Sequence, residues 1–415
     1  MVTTRSGAVS TPSVTPTKSA AGAATATGAG TAGGGTASAA AAATASSKPP
    51  MRALVTGGAG FLGRHVVRQL LESGGYEVTV FDVRKPEGEP QPHAALVGDL
   101  RKPDDVAAAV AGMDVVFHVA TAAPTGENAL NIALMQSVNV DGTRLLLEAC
   151  LAAGVSRVVY TSSASVVFDG SPLVMVDETA PYAAKPMDHY TRTKIEGEQL
   201  VLQYNGRALA RPAARDGATA LATVALRPSG IFGEGDAVFV PTLVRNARAG
   251  KMKYVLGSGR NECDFTYAGN VAHAHLLAAA ALRPGSAVAG KPYFITNGEP
   301  KRFWGMMGDM CEGLGYGRPR IHLPYLLVLM LAMVFEYLVL PLVKALSRKE
   351  LRSDFTVNRI LIATTNRTFR IDAARAELGY APQLSVAQGI ERTLQSFEHL
   401  RAAPQPGAGA SKKAE

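Results

Sequence analysis

From Met51 onward, short apolar runs alternate with longer stretches in which apolar residues recur at helical spacing. This alternation is typical of βαβ units, in which helices cover a parallel sheet. It predicts strands at Arg52–Thr56, Glu77–Asp82, Ala95–Leu100, Asp114–Ala120, Arg157–Ser163 and Leu221–Pro228. It predicts helices at Phe61–Ser73, Val106–Val110, Ile132–Ala153 and Tyr190–Tyr204. We therefore expect an α/β fold, a Rossmann-type doubly wound parallel sheet that binds its ligand at the carboxyl ends of the strands.

After Arg227 the regular alternation fades, which predicts a second, smaller lobe. Helical spacing recurs there at Pro241–Arg248, Val271–Leu282 and Phe303–Leu314, and residues 372–400 have the pattern of helix, turn and helix. We expect a cofactor-binding domain at 50–227 and a mainly helical substrate lobe at 228–401. Within the cofactor-binding domain, Arg207–Ala220 is rich in Ala, Arg, Pro and Gly, which indicates a lengthened surface loop.

Both ends of the chain have the composition of disordered tails. Residues 1–49 are mostly Ala, Thr, Gly and Ser and contain no acidic residue, so they cannot bury a core. A transit peptide is the functional alternative for that segment. Residues 402–415 form a second short tail.

One apolar segment, Leu323–Val343, carries Glu336 as its single formal charge and is long enough to span a bilayer. Glu336 and Pro341 argue against a clean span. A single crossing would also separate residues 372–400 from the cofactor domain. A helix that dips into one leaflet, or a tight hairpin, avoids that conflict. We expect membrane contact, and the alternative is a buried helix of the lobe.

Composition limits the classes of partner. The net charge of +8 is spread along the chain, and no Lys/Arg block interleaves with aromatic residues. Nucleic acid is therefore not expected as a partner. The three cysteines lie far apart, without disulfide or metal spacing, so we expect no metal site and a reducing compartment.

The segment after the first strand has the glycine spacing of a dinucleotide site. Gly57 allows the tight turn, Gly60 lets the backbone approach a pyrophosphate, and Gly63 lets the helix pack on the sheet. The N-terminus of the helix then presents free N–H groups and a positive dipole to the phosphates.

Asp82 closes the second strand, where a carboxylate accepts hydrogen bonds from the adenosine ribose and repels a 2′-phosphate. Arg84 could instead bind such a phosphate, so the choice between NAD and NADP stays open, with NAD favoured. Asp99 and Leu100 end the third strand, where side chains meet the adenine. Ala120, in His-Val-Ala, ends the fourth strand beside the ribose.

Tyr190 and Lys194 lie one helical turn apart and form a candidate proton-transfer pair. A free tyrosine, with a pKa near ~10, is a poor base at neutral pH. The Lys194 ammonium would stabilise the phenolate, lower the pKa of Tyr190 and hold the nicotinamide ribose. The run Thr161–Ser165 offers hydroxyl donors that could polarise a substrate oxygen, and Pro228 would border the nicotinamide.

These motifs resemble the extended short-chain dehydrogenase/reductase family over about residues 51–400. The resemblance implies that Ser163, with Tyr190 and Lys194, is catalytic, and that Asn139 shapes the helix near the site. It also places Phe61 and Leu62 in the NAD site. The segments LRPSGIFG, DFTY, NVAHAH and YFITNGEP, which begin at Leu226, Asp264, Asn270 and Tyr293, are similar to the 3β-hydroxysteroid dehydrogenase branch.

Within that branch, the sequence most resembles enzymes of sterol C4-demethylation. The resemblance implies that Tyr190 removes the proton of a 3β-hydroxyl group while NAD accepts the hydride from C3. The product from a 4α-carboxysterol is a β-keto acid, which loses CO₂ without a metal. Expected partners are the sterol and a membrane surface, and other enzymes of sterol C4-demethylation or a second copy of the chain are further candidates.

Two alternatives remain open at this stage. One is another enzyme of the same fold: a different hydroxysteroid dehydrogenase, a ketone reductase of flavonoid type or a nucleotide-sugar epimerase. An epimerase needs polar and basic contacts for a diphosphate, whereas this lobe is apolar. The other is a non-catalytic NAD-sensing protein, a class that commonly lacks the Tyr/Lys pair.

The C-terminal residues resemble a signal for cellular location. Lys412 and Lys413 stand at the −4 and −3 positions, which resembles the dilysine retrieval signal of endoplasmic-reticulum membrane proteins. That signal requires a cytosolic tail on a membrane-held protein. We therefore expect the cytosolic face of the endoplasmic reticulum membrane, with organelle targeting through residues 1–49 as the alternative.

Overall fold

The computed structural model describes residues 49–123, 131–347 and 355–402. The expectations for residues 1–48 and 403–415, including Lys412 and Lys413, lie outside these ranges.

The strands and helices follow one another along the described chain. The strands are β1 (Met51–Thr56), β2 (Tyr76–Asp82), β3 (Ala94–Val97), β4 (Val115–His118), β5 (Arg157–Thr161), β6 (Leu173–Val176), β7 (Ala222–Pro228), β8 (Ile231–Phe232), β9 (Tyr254–Leu256), β10 (Glu262–Cys263), β11 (Thr266–Tyr267), β12 (Pro292–Ile295), β13 (Lys301–Arg302), β14 (Ile321–Leu323) and β15 (Arg367–Phe369). The α-helices are α1 (Phe61–Glu72), α2 (Pro103–Val110), α3 (Ile132–Gln136), α4 (Thr143–Ala153), α5 (His189–Tyr204), α6 (Phe239–Arg248), α7 (Ala268–Ala281), α8 (Phe303–Gly313), α9 (Tyr325–Val334), α10 (Leu340–Ser347), α11 (Val357–Thr364), α12 (Asp372–Leu378) and α13 (Val386–Ser396).

The main sheet has seven parallel strands in the order β12-β7-β5-β4-β1-β2-β3. Alternate residues of β1 enter different cores. Ala53 and Val55 pack with α1 and α7, whereas Leu54 packs with α2, α4 and α5. Helices therefore cover both faces of the sheet, which confirms the predicted doubly wound α/β fold.

Three predicted strands end earlier than expected. β3 ends at Val97, β4 at His118 and β5 at Thr161. Beyond these positions the regular strand pairing ends, and the backbone forms local structure instead. After β5, for example, it forms the 3₁₀ turn at Ala164–Val167. The candidate residues Asp99, Ala120 and Ser163 consequently lie on the loops at the carboxyl edge of the sheet.

The predicted long helix at Ile132–Ala153 is interrupted by a π-helical turn at Ser137–Gly142. Helix α5 packs tightly against this turn through Gly197. A Cβ atom at Gly197 would lie 2.9 Å from the carbonyl oxygen of Asn139 and 2.7 Å from the Tyr160 hydroxyl. A residue without a side chain is therefore needed for this close approach.

The smaller lobe is mainly helical, as predicted, and its strands are only two to four residues long. It contains a four-stranded sheet in the order β13-β10-β15-β6 and the two-stranded pairs β8–β11 and β9–β14. Two segments also cross the expected boundary at residue 227: β12 joins the main sheet, and β6 joins the sheet of the lobe. A boundary drawn along the chain cannot capture this exchange, because strand pairing is decided in three dimensions.

The apolar segment forms one continuous helix from Tyr325 to Ser347, in which a π-helical turn at Phe335–Val339 joins α9 to α10. It is therefore not a hairpin. Only Val328 and Ala332 are buried in α9, so it is not a buried helix of the lobe either. Within the described residues, Tyr325–Val343 is the one helix long and apolar enough to cross a membrane.

Candidate active site

The glycine loop between β1 and α1 has the geometry of a phosphate cradle. Gly57 has a φ of +70°, and a Cβ atom there would lie 2.6 Å from the Cα of Ala120. A Cβ atom at Gly63 would lie 2.1 Å from the carbonyl oxygen of Gly57. Gly60 is the N-cap of α1 and provides no side-chain cap, so the N–H groups of Phe61 and Leu62 at the helix start can serve an anion.

Asp82 is tied to this loop. Its two carboxylate oxygens accept hydrogen bonds from the backbone N–H groups of Ala59 and Arg84, each over 3.1 Å. The carboxylate retains lone pairs for ribose hydroxyl groups. The side chain of Arg84 is exposed, beyond the strand end that Asp82 occupies.

The remaining candidates for the adenosine end differ from one another. Asp99 forms an ion pair with Arg101, which lowers the pKa of the Asp99 carboxyl group. Leu100 is buried, and its side chain packs in the core of the main domain. Ala120 is half-buried beside the glycine loop, and its N–H donates to the Thr56 hydroxyl group over 3.3 Å.

His118, which ends β4, is a core residue rather than a ligand contact. Its ring nitrogens lie 2.8 Å from the hydroxyl oxygen of Thr56 and 2.9 Å from that of Thr143. Burial lowers the pKa of His118 to about 3, and the nearby Lys194 charge adds to this shift. A neutral, fully bonded imidazole holds β1, β4 and α4 together.

Asn139, on the π-helical turn, fixes the loop after β4. Its side-chain oxygen accepts from the Ala122 N–H over 2.7 Å and from the Thr121 hydroxyl over 3.1 Å. Its amide donates to the Thr193 hydroxyl over 3.0 Å and to the carbonyl of Ala122 over 3.1 Å. Asn139 thus joins this loop to the helix that carries Tyr190 and Lys194.

Tyr190 lies half-buried in the first turn of α5. Burial raises the pKa of Tyr190 to about 12, the Asp188 charge raises it further, and a hydrogen bond with the Thr121 side chain opposes the shift. The expected lowering of this pKa by Lys194 is not found in this structure. Thr121 is a site residue that the motifs missed, although its position after β4 at the carboxyl edge could have indicated it.

Lys194 explains that difference, because its ammonium group is engaged elsewhere. Nζ donates to the carbonyl oxygen of Thr161 over 2.6 Å and lies 4.4 Å from the ring centroid of Tyr160. The side chain is buried, which lowers the pKa of Lys194 to about 7, while Glu198 acts in the opposite direction. Lys194 is therefore held on the α5 face that meets the end of β5.

The structure separates the hydroxyl groups at the end of β5. Thr161 bonds to His275 over 2.7 Å, and Ser162 bonds to the Glu198 carboxylate, so both are buried and engaged. Ser163 is half-buried and accepts from the Ser165 N–H over 3.2 Å and from the Ser165 hydroxyl over 2.9 Å. With both lone pairs engaged, the Ser163 hydroxyl group keeps its hydrogen to donate to a substrate oxygen.

A buried ion pair between Glu198 and Arg227 packs against the end of β5. The sequence motifs did not indicate it. The Glu198 carboxylate accepts from the Arg227 guanidinium over 2.6 Å and from the Tyr182 hydroxyl group over 2.8 Å. Glu198 and Arg227 are fully buried. Glu198 lies one turn beyond Lys194 on the same face of α5. The four-residue spacing could therefore have indicated that Glu198 supports the Tyr190–Lys194 pair. Pro228, which follows Arg227 and ends β7, is buried too.

Helix α11 links the apolar helix to this site. Glu336 accepts a hydrogen bond from the N–H of Val357 over 2.7 Å. The Asn358 amide donates to the Asp188 carboxylate over 3.1 Å, and Asp188 in turn caps α5. In addition, Leu361 lies close to Gly170 and Met187 at the edge of the site.

Comparisons with known proteins agree on one family. The model of the 3-beta hydroxysteroid dehydrogenase/isomerase family matches residues 54–325. Mouse sterol-4-alpha-carboxylate 3-dehydrogenase, decarboxylating, is 40% identical over 353 residues, which cover 84% of this chain and 92% of the mouse protein. The Arabidopsis thaliana 3beta-hydroxysteroid-dehydrogenase/decarboxylase isoform 1 is 41% identical over 374 residues, which cover 85% of this chain and 81% of that protein.

Solved structures share the fold at lower identity. The epimerase Mth375 of Methanothermobacter thermautotrophicus has a TM-score of 0.64 at 21% identity, covering 84% of this chain and 93% of that one. DesIV, a dTDP-glucose 4,6-dehydratase of Streptomyces venezuelae solved with NAD, has a TM-score of 0.61 at 24% identity, covering 84% and 97%. At these identities the likeness concerns the fold alone.

Proposed function

Because the chain belongs to the 3-beta hydroxysteroid dehydrogenase/isomerase family, we propose that it oxidises the 3β-hydroxyl group of a 4α-carboxysterol to the ketone, with loss of CO₂. The observation that carries this proposal is an arrangement of side chains: Tyr190 and Lys194 on α5 meet the end of β5, which Ser163 follows, at the same carboxyl edge of the sheet as the glycine loop. The function belongs to sterol biosynthesis, in which C4 carboxyl groups are removed.

NAD fits the residues present. The glycine loop and the start of α1 would hold its pyrophosphate, and Asp82 would bind the adenosine ribose. Lys194 and Asn139 stand on the elements that would border the nicotinamide end. When bound, oxidised NAD supplies the hydride acceptor and a positively charged ring.

The protein groups handle the proton and the substrate oxygen. Tyr190 removes the hydroxyl proton of the sterol, and the buried Lys194 offers a positive charge on the same face of α5. Ser163 donates a hydrogen bond to the oxygen at C3. The product is a β-keto acid. The bond between C4 and the carboxyl carbon breaks, CO₂ leaves, and the bonding electrons form an enolate over C4, C3 and the C3 oxygen. Protonation of that enolate at C4 gives the ketone. Ser163 is placed to stabilise that developing oxyanion.

The alternatives of the same fold are less well supported. Relatives that are about 40% identical over most of the chain bear a decarboxylating dehydrogenase name, whereas the epimerases and dehydratases are related at under 25% identity. A non-catalytic NAD sensor would not need Tyr190, Lys194 and Ser163 together.

A sterol panel tests the proposal. Purified protein should reduce NAD with a 4α-carboxy-3β-hydroxysterol, and mass spectrometry should detect a 3-ketone that lacks the carboxyl group. A 3β-hydroxysterol without the carboxyl group serves as the control. Oxidation of that control without any reaction of the carboxysterol would assign the protein to a different hydroxysteroid dehydrogenase.

We propose further that the apolar helix rests in one leaflet of a membrane, from which the sterol is taken. Val328, Ala332 and Glu336 recur every four residues and turn one stripe of the helix toward the lobe. The rest of the helix surface exposes large apolar side chains, among them Leu326, Leu331, Tyr337, Leu338 and Leu342. A helix attached to protein along one stripe and apolar on the rest suits in-plane insertion better than spanning.

The proposed location is the cytosolic face of the endoplasmic reticulum membrane. It is supported by the proposed sterol substrate and by the exposed apolar helix. Fractionation with protease protection distinguishes the topologies. A C-terminal epitope in sealed microsomes should be digested. Its protection, or a fully soluble protein after gentle lysis, contradicts the cytosol-facing arrangement.

A further inference from the structure

A cationic pocket lies in the smaller lobe, apart from the catalytic residues. It has a volume of about 440 Å³ and opens between the loop after β9, the start of α8, and β14. Its polar lining comes from side chains that can donate hydrogen bonds: Ser258, Arg260, Arg302, Trp304, Arg318 and His322. Ser163, Tyr190 and Lys194 do not line it.

Three arginines line the pocket, and only one of them forms ion pairs within the described residues. The Arg318 guanidinium is balanced by Asp309 and Glu312, each over 2.7 Å. Arg260 and Arg302 are exposed, and within the described residues neither forms an ion pair. Glu262 lies opposite Arg302 on β10 but forms no ion pair with it. Two guanidinium groups without an ion pair that line one cavity favour an anion with several acceptor oxygens, since guanidinium forks match phosphate geometry.

The pocket lies close to the start of the apolar helix, which points to a membrane lipid as the source of that anion. His322, on β14, precedes the first residue of α9, Tyr325, by three positions. A Cβ atom at Gly257, in the loop that borders the pocket, would lie 3.6 Å from the Cβ of Tyr325. The pocket therefore lies near the start of the exposed apolar helix.

Exposed residues around the pocket have the character of a membrane interface. Tyr254 is 41% exposed, Tyr325 36% and Ile321 52%. Tyrosine and tryptophan are enriched at the level of lipid headgroups, and the headgroup layer is only roughly 5–8 Å thick on each side of the hydrocarbon. If α9 lies at the hydrocarbon boundary, Arg260 and Arg302 lie among the headgroups.

We propose that this pocket binds the phosphate of an anionic membrane phospholipid and so orients the apolar helix on the bilayer. The proposal rests on the membrane docking described above, and adds a headgroup site to it. Arg260 and Arg302 pair with the phosphate, Ser258 offers a further donor, and α9 inserts beside the acyl chains.

Vesicle binding tests the site. Full-length protein is titrated with phosphatidylcholine vesicles and with vesicles that also contain phosphatidylserine. The variant is Arg260→Gln with Arg302→Gln. Each basic side chain near an anionic surface contributes about fivefold to partitioning, so the double variant should lose about 30-fold in affinity for anionic vesicles. Its binding to neutral vesicles and its melting temperature should match those of the wild type.

A matched control removes the same charge elsewhere. Arg207→Gln with Arg211→Gln changes two exposed arginines in the loop that leads into β7, at the amino edge of the main sheet. This variant should keep the wild-type preference for anionic vesicles. An equal loss in both double variants would mean that net charge, and no particular pocket, attracts the membrane.

Two further outcomes overturn the proposal. Unchanged anionic preference in the Arg260/Arg302 variant removes the pocket from membrane binding. Arginine-dependent binding of inorganic phosphate without vesicles, at an affinity equal to that for the lipid, would assign the pocket to a free phosphate. A wild type that binds no vesicles contradicts the membrane docking itself, whereas failure of the sterol assay in detergent concerns only the proposed catalysis.

Discussion

The Asn358 amide donates a hydrogen bond over 3.1 Å to the carboxylate of Asp188, the residue that caps the catalytic helix α5. Asp188 also accepts from the Thr191 N–H over 2.7 Å. Since the start of α11 is held by Glu336, the apolar helix and the cap of α5 share one short connection. The cap stands two residues before Tyr190, and its charge raises the pKa of that tyrosine.

Asp188→Asn should shift the pH–rate profile. The substitution keeps a capping oxygen but removes the negative charge that raises the pKa of Tyr190 from its ordinary value. The limb of the profile that reports deprotonation of Tyr190 should therefore move to lower pH, as measured by NADH formation across a pH series. Asp177→Asn, at a half-buried aspartate that accepts hydrogen bonds from Thr179, is the control and should leave the limb in place. A shift in the opposite direction would contradict this role of Asp188.

Tyr190→Phe and Lys194→Met should each reduce turnover by at least ~10²-fold, because proton-transfer groups contribute roughly 10²–10⁴-fold in rate. Tyr190→Phe keeps the ring, so NAD titration should give nearly the wild-type affinity. Near-normal turnover of Tyr190→Phe would rule out the proposed proton transfer.

Asp82→Ala should weaken NAD binding and improve the use of NADP relative to NAD. The carboxylate repels a 2′-phosphate, and its loss also frees the N–H of Ala59 in the glycine loop. The ratio of kcat/KM values for the two cofactors is the measurement. If the wild type itself prefers NADP, Arg84 rather than Asp82 determines the choice.

Glu198→Gln should destabilise the protein strongly. Arg227 would remain buried without a countercharge, which typically costs about 3–5 kcal/mol in the free energy of unfolding. Denaturant unfolding gives that value. Glu377→Gln is the matched control, because its pair with Lys291 is partly exposed and should contribute about 1 kcal/mol or less. Similar losses in the two variants would contradict the assigned importance of burial.

Acid should destabilise the fold through its buried histidines. Burial lowers the pKa of His118 to about 3 and that of His275 to about 4, both below the unfolded value of 6.5. The unfolded chain binds these protons first, so the free energy of unfolding should fall as pH drops from 6.5 toward 4. Asp264, whose pKa burial raises to about 6, acts in the opposite direction below that pH.

His275→Gln should make the loss of stability between pH 6.5 and 4 shallower, since an amide does not titrate. Unfolding curves at several pH values provide the measurement. A slope that equals that of the wild type would show that His275 is not a source of the acid sensitivity. His118 should still contribute to the remaining slope.

Local sequence determined much of this protein. The apolar alternation predicted the parallel sheet, and glycine spacing predicted the cradle, because only glycine tolerates the φ of Gly57 and the contact at Gly63. The Tyr190–Lys194 spacing predicted a shared helix face, which follows from helical geometry alone. The family resemblance predicted Ser163 as the catalytic serine, whereas the sequence alone did not distinguish it from the other hydroxyl residues of Thr161–Ser165.

Tertiary structure decided what lies far apart in the sequence. Which hydroxyl after β5 stays available depends on His275 and Glu198, which occupy Thr161 and Ser162. The pKa of Tyr190 depends on burial and on Asp188, so the spacing to Lys194 could not give its direction. Likewise, the apolar helix lies on the surface because the packed chain covers only one stripe of it, against α11. Burial, desolvation and contacts between distant segments are properties of the packed chain, and local patterns do not contain them.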